Sequence, residues 1–260
     1  GASARTKCRS WRRQARSDRM TYLPGTQSRR RVYLMRHGHV DYLAKHVVAT
    51  GGINVVPLTP RGRQQALAAG HALAHVTFDR AICSGYPRTK ETAEHVLMAQ
   101  ANPPKLEIDE GFVELPTGKF PPVKSRAELI EVMRNRPKPG EPRELREGEE
   151  DPVKAMERST GSLKRILKEP GWHTTLLVAH EGINRVMISW AAGMPAGVQG
   201  AFEQDTGCIN VLDFDLTPDG EIDRAMVKAI NITPYNYLKH GMNLTSLEAL
   251  FERNATEGLR

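Results

Sequence analysis

Apolar residues along this chain follow two alternating patterns: short unbroken runs, and longer segments in which they return every three or four positions. Val32-Tyr33-Leu34-Met35, Ala81-Ile82-Cys83 and Thr174-Thr175-Leu176-Leu177-Val178-Ala179 belong to the first kind and predict buried strands. The second kind predicts helices. One runs from Pro60 through Gln64, Ala66, Leu67 and Leu73, and one from Pro87 towards Val96 and Met98. A third covers 151–168, with Val153, Met156, Leu163, Ile166 and Leu167 on its apolar side, and a fourth covers 186–190. Thr59 supplies an N-cap oxygen, and Pro60 suits the first helical position, where no backbone donor is needed. Strand-helix alternation of this kind predicts an α/β fold: a parallel sheet with helices on both faces.

The remaining segments add less. Leu106 and Ile108 mark a weak third strand, 208–214 and 225–230 read as late, more exposed strands, and 242–254 reads as a terminal helix. Residues 116–150 are rich in Pro, Gly and charge, with one short helical pattern through Leu129, Ile130 and Met133. Such a stretch cannot bury a core of its own, so it is expected to be an insertion (about 115–150) arching over the sheet.

Composition narrows the class. At 260 residues, 26% charged and 39% hydrophobic, the chain is long enough for a packed core, and no run is long enough to span a bilayer. The net charge of +7 is unevenly placed. Residues 1–31 hold ten cations against Asp18 alone, while the rest of the chain holds 27 cations and 29 anions, a net of −2. The basicity therefore belongs to a tail without hydrophobic periodicity, expected to be disordered over 1–29 and followed by a single domain over 30–260. An Arg-rich, acid-poor leader is similar to an organelle transit peptide; sequence upstream of a start at Met20 is the alternative, and a functionally minor tail is the reading preferred. No aromatic-basic interleaving supports a nucleic-acid face. Cys8, Cys83 and Cys208 are scattered, with neither CxxC spacing nor a secretory signal, as expected of reduced thiols in a cytoplasmic protein.

Candidate chemistry gathers at strand ends. The first strand ends in Arg36-His37-Gly38 and the strand at 174–179 in His180-Glu181-Gly182; in open α/β sheets ligands collect beyond these carboxyl ends. Neutral imidazole can attack phosphorus, and an arginine forks onto phosphate oxygens. Arg88 opens a helix at the end of the second strand, where oriented backbone donors add to its charge. One such residue is unremarkable, but two histidines and two arginines at equivalent ends make a dianion site.

Four motifs then occur in order: Arg36-His37-Gly38; Leu58-Thr59-Pro60-Arg61-Gly62-Arg63-Gln64-Gln65-Ala66; Ser84-Gly85-Tyr86-Pro87-Arg88-Thr89-Lys90-Glu91-Thr92-Ala93; and Val178-Ala179-His180-Glu181-Gly182. Together they resemble the histidine phosphatase superfamily, in its phosphoglycerate-mutase-like branch, over residues 31–230. The resemblance implies a three-layer αβα sandwich and a phosphomonoester hydrolase with no cofactor and no metal. It implies His37 as the phosphorylated nucleophile, Arg36, Arg88, His180 and Gly38 around the phosphate, and Glu114 as proton donor. One carboxyl can protonate the leaving group and then deprotonate water, provided its pKa is raised. Glu181 is the rival, since another branch keeps its acid beside the second histidine.

Departures from the family pattern matter. His39, Val40, Asp41 and Tyr42 stand where Glu or Gln and then Ser or Thr are usual, and Leu43 stands where many members place an Asn, which weakens the case for mutase activity. His37, His39 and Asp41 also spell a metal-hydrolase spacing, although Tyr42 replaces a further His and Arg36 would repel a dication. His71 and His75 lack the Glu of a zincin motif. A non-catalytic phosphoester binder is the remaining alternative. The expected partner is a small phosphorylated substrate rather than a membrane or a nucleic acid, and a homodimer is left open.

Overall fold

The computed structural model describes residues 29–42, 54–116, 118, 131, 144–196, 199–245 and 248–249. Its elements are β1 (Arg29–Arg36), α1 (Pro60–Ala72), β2 (Arg80–Cys83), α2 (Pro87–Leu97), β3 (Leu106–Ile108), α3 (Pro152–Lys168), β4 (Thr174–Ala179), α4 (Glu181–Ala191), β5 (Ile209–Leu216) and β6 (Ile222–Ile232). One six-stranded sheet runs in the order β3-β2-β4-β1-β5-β6. The pairs β2–β3, β2–β4 and β1–β4 are parallel, whereas β5 and β6 join antiparallel at one side.

Strand alternation sets the layers. On β1, Val32 and Leu34 pack with Ile82, Leu177, Leu163 and Met187, which places α3 and α4 on that face. Met35 points the other way and packs with Ala81, Val178, Ala69 and Val96, which places α1 and α2 there. The result is the expected αβα sandwich. Val32, Leu34 and Met35 are each fully buried, a contribution of about 1.5–3 kcal/mol apiece. Thr59 caps α1, its hydroxyl accepting from the Gly62 N–H at 3.1 Å with Pro60 next in line. Asp151 does the same for α3 through the Val153 N–H at 2.7 Å.

Two expectations are corrected. The charge count groups Arg29, Arg30 and Arg31 with the basic tail, expected to reach residue 29, but β1 begins at Arg29. Arg29 pairs with Asp215 and Arg31 with Asp213, both at 2.7 Å, while Arg30 is buried with its guanidinium 5.3 Å from the Trp172 ring centroid. Cross-strand carboxylates carry these charges into the sheet, a fact invisible to a count along the chain. The strand at 208–214 is also not an exposed one: β5 lies between β1 and β6, and seven of its eight residues are buried. Most of the 116–150 insertion, including Leu129, Ile130 and Met133 of its helical pattern, residues 1–28 and most of the terminal helix expected at 242–254 lie outside the described residues, and 242–245 is not helical. The near end of the insertion is anchored. Arg158 of α3 holds Glu150 at 2.7 Å and donates to the carbonyls of Gly111 and Val113.

Candidate active site

The site begins with register. β1 and β4 pair Arg36 opposite Ala179, and the His37 N–H continues the ladder onto the Ala179 carbonyl at 3.1 Å. His37 and His180 consequently leave adjacent strand ends, and their rings meet edge to face with centroids 5.3 Å apart. Both are buried, at 2% and 0% exposure.

His37 has a fixed tautomer. Its Nδ1 lies 2.7 Å from the Gly38 carbonyl oxygen, which can only accept, so Nδ1 carries the proton and Nε2 keeps its lone pair. Burial, followed by the charges of Arg88 and Arg36, pushes its pKa well below the ordinary imidazole value. A buried, neutral imidazole with a bare Nε2 is what a nucleophile requires. Gly38 serves this geometry with its carbonyl, and its N–H is committed to Thr92 Oγ1 at 3.0 Å. Gly38 thus joins the first strand end to α2 through its N–H and faces the His37 ring with its carbonyl.

The cations stand around the two rings. Arg88, in the first turn of α2, is 3% exposed and lies 4.7 Å from the Tyr86 ring centroid and 5.8 Å from that of Tyr42. Arg36 is 8% exposed; it donates to the Gln204 carbonyl and pairs with Glu181 at 2.9 Å. Tyr86 also packs edge to face on His180, with centroids 5.2 Å apart. Burial, then His37, Arg88 and Arg36, pushes the His180 pKa well below its ordinary value. His180 Nε2 lies 2.7 Å from Ser84 Oγ, while its Nδ1 is buried without a hydrogen-bond partner among the described residues.

The two rival carboxylates have different surroundings. Both oxygens of Glu181 are taken by guanidinium groups, Arg36 on one and Arg185 on the other at 2.9 Å each. Glu114 follows the 3-10 turn Glu110–Phe112 and reaches the start of α4, where it accepts from the N–H groups of Leu115, Gly182 and Ile183 at 2.9–3.1 Å. Burial raises its pKa, against the pull of those N–H groups, and the net direction is upward.

The metal-ligand alternative is not assembled. His39 Nδ1 lies 2.8 Å from Thr59 Oγ1, Asp41 is exposed, and no group of three His, Cys, Asp or Glu side chains among the described residues converges to share an ion. Cys83 and Cys208 are buried free thiols, and burial raises both. Sequence reasoning missed Ser84, Tyr86, Thr92 and Gln204. The first three stood inside the motif that supplied Arg88, but nothing along the chain marked Gln204, which arrives from a loop 168 residues away.

The family model described as histidine phosphatase superfamily (branch 1) matches residues 32–220. The 2-carboxy-D-arabinitol-1-phosphatase of Triticum aestivum is 26% identical over 241 residues, 90% of this chain and 47% of that protein, so the chain spans about half the length of this relative. "Probable phosphoglycerate mutase GpmB" of Salmonella choleraesuis is 28% identical over 185 residues, 70% of this chain and 84% of that one. Among solved structures, mycobacterial glucosyl-3-phosphoglycerate phosphatase superposes with a TM-score of 0.62 at 20% identity, covering 78% of this chain and 99% of the other. The alpha-ribazole phosphatase of Shigella flexneri gives 0.58 at 22%, covering 77% and 96%. At these identities the structures share the fold.

Proposed function

This chain belongs to the histidine phosphatase superfamily, branch 1, and from that premise we propose that it hydrolyses small phosphomonoesters through a phosphohistidine on His37. The supporting observation is the 2.7 Å contact between His37 Nδ1 and the Gly38 carbonyl, which directs the Nε2 lone pair outward from a buried, neutral ring.

In the first step Nε2 attacks phosphorus, an N–P bond forms, the P–O bond to the leaving group breaks, and the alkoxide takes a proton from Glu114. In the second, Glu114 takes a proton from water as the water oxygen attacks the phosphohistidine, releasing phosphate and restoring the lone pair on His37. Arg36, Arg88 and His180 surround the phosphoryl oxygens and stabilise the charge that spreads over them in transit. Glu181 and the Gln204 carbonyl hold the Arg36 guanidinium in place, which keeps reorganisation small when the oxyanion arrives.

Glu114 is preferred over Glu181 because burial raises the Glu114 carboxyl whereas guanidinium groups hold both oxygens of Glu181. Hydrolysis is preferred over mutase transfer because Leu43 stands where many members of the family place a phosphate-touching Asn.

Rapid quench with a radiolabelled aryl phosphate tests the reading. An acid-labile, base-stable label on His37 is expected, with no turnover by His37→Ala. Turnover that persists in His37→Ala, or a label found elsewhere, overturns it.

A further inference from the structure

The hydroxyl hydrogens around His180 can be counted. Thr89 Oγ1 lies 2.8 Å from the Tyr86 carbonyl oxygen, which only accepts, so the single Thr89 hydroxyl proton is spent there. Ser84 Oγ lies 3.0 Å from Thr89 Oγ1, so the proton in that contact must come from Ser84. Ser84 then has none left for His180 Nε2 at 2.7 Å, and His180 must donate. The chain of donors runs one way: His180 Nε2–H to Ser84, Ser84 to Thr89, Thr89 to the Tyr86 carbonyl.

A neutral ring with its proton on Nε2 has a bare lone pair on Nδ1, and that atom is buried without a hydrogen-bond partner among the described residues. With Nε2 committed to Ser84, Nδ1 is the only polar atom of the ring left to meet an oxyanion. A lone pair repels an oxyanion; only a protonated Nδ1 attracts one. Resting on the reading of the site given above, we propose that Ser84 and Thr89 are positioning residues that lock free His180 as the Nε2–H tautomer, so that each oxyanion bound takes up one proton on His180 Nδ1.

The groups facing His180 agree with this. Burial opposes a proton on the free ring, and so do His37 just beyond β1, Arg88 from α2, Arg36 at the end of β1 and Arg158 from α3. Tyr86 meets the His180 ring in a T-shaped contact and brings no formal charge. Glu181 on α4 is neutralised by Arg36 and Arg185, and Glu114 is turned to the Gly182 and Ile183 N–H groups. The proton therefore arrives with the anion that offsets the two arginines, and substrate affinity becomes a function of pH.

Inorganic sulfate is a suitable probe, because it stays a dianion and brings no proton of its own. Calorimetry on the full chain in two buffers of different ionisation enthalpy should show about one proton taken up per sulfate, with Kd rising about tenfold per pH unit above neutrality. Nitrogen-15 NMR of the imidazoles should show His180 with a bare Nδ1 in the free protein and both nitrogens protonated with sulfate. Thr89→Val removes the acceptor for the Ser84 proton, which then turns to His180 Nε2; the free ring should switch to Nδ1–H, and uptake and pH slope should vanish. Ser84→Ala should do the same and serves if the valine variant does not fold. His37→Asn should keep the uptake, placing the proton on His180.

Sulfate binding without proton uptake, or uptake lost in His37→Asn, overturns this proposal and leaves the phosphatase reading intact. No sulfate binding, together with no labelled His37, overturns both.

Discussion

Gly38 and Gly62 meet backbone to backbone: a Cβ built on Gly38 would lie 2.5 Å from the Gly62 carbonyl oxygen, and one on Gly62 would lie 2.2 Å from that of His39. The start of α1 is thereby pressed against the segment that carries His37, and neither side has a flexible atom to move. Gly62→Ala should cost about 1–3 kcal/mol, read as a fall in the unfolding midpoint, and should lower kcat by displacing His37. Gly161, exposed in the middle of α3 with nothing within 4 Å of its Cβ position, gives the contrast. Gly161→Ala should stabilise by about 0.5–1 kcal/mol at unchanged kcat.

The two glutamates separate by leaving group. Glu114→Gln should lower kcat by about 10²–10⁴-fold on an alkyl phosphate, and far less on p-nitrophenyl phosphate, whose leaving group departs without a proton. Glu181→Gln should act chiefly on phosphate affinity, because it frees one guanidinium edge of Arg36. The opposite pattern, with leaving-group dependence lost only in the Glu181 variant, would exchange their roles.

The pH dependence has a definite sign. His37 and His180 titrate well below the ordinary imidazole value when folded, so between that lower value and about pH 6.5 the unfolded chain binds more protons than the folded one. Both contributions are fully present above about pH 6.5 and are lost as pH falls, at up to about 1.4 kcal/mol per unit for each ring. Glu114 works the other way, since a carboxyl raised on folding favours the folded state in acid, and it makes the decline shallower. Urea midpoints across this range should fall with acidification, and His37→Asn should reduce the slope.

The arginines at the start of β1 are structural. Asp213 and Asp215 are fully buried, with Arg31 bonding one through two nitrogens at 2.7 and 2.8 Å and Arg29 and Arg224 sharing the other. Arg31→Ala should cost about 1–3 kcal/mol, because it strands a buried carboxylate while its own side chain is partly solvated. Removing residues 1–28 should leave the unfolding midpoint unchanged. Removing residues through Arg31 should lower it by at least as much as the alanine substitution.

The sequence alone determined what depends on neighbours along the chain. The caps at Thr59 and Pro60, the placing of His37 and His180 at strand ends and of Arg88 in a first turn, and the face that each helix buries all follow from local periodicity and backbone stereochemistry. Tertiary structure decided what depends on pairing between distant segments. Parallel register put Arg36 beside Ala179 and so set the two imidazoles 5.3 Å apart, α4 offered its first N–H groups to Glu114 while Arg36 and Arg185 claimed Glu181, and β5 turned Arg29 and Arg31 from tail charges into strand residues. Hydrogen-bond direction and burial are properties of the packed molecule; the local sequence around Glu114, Glu181 or Ser84 carries no record of them.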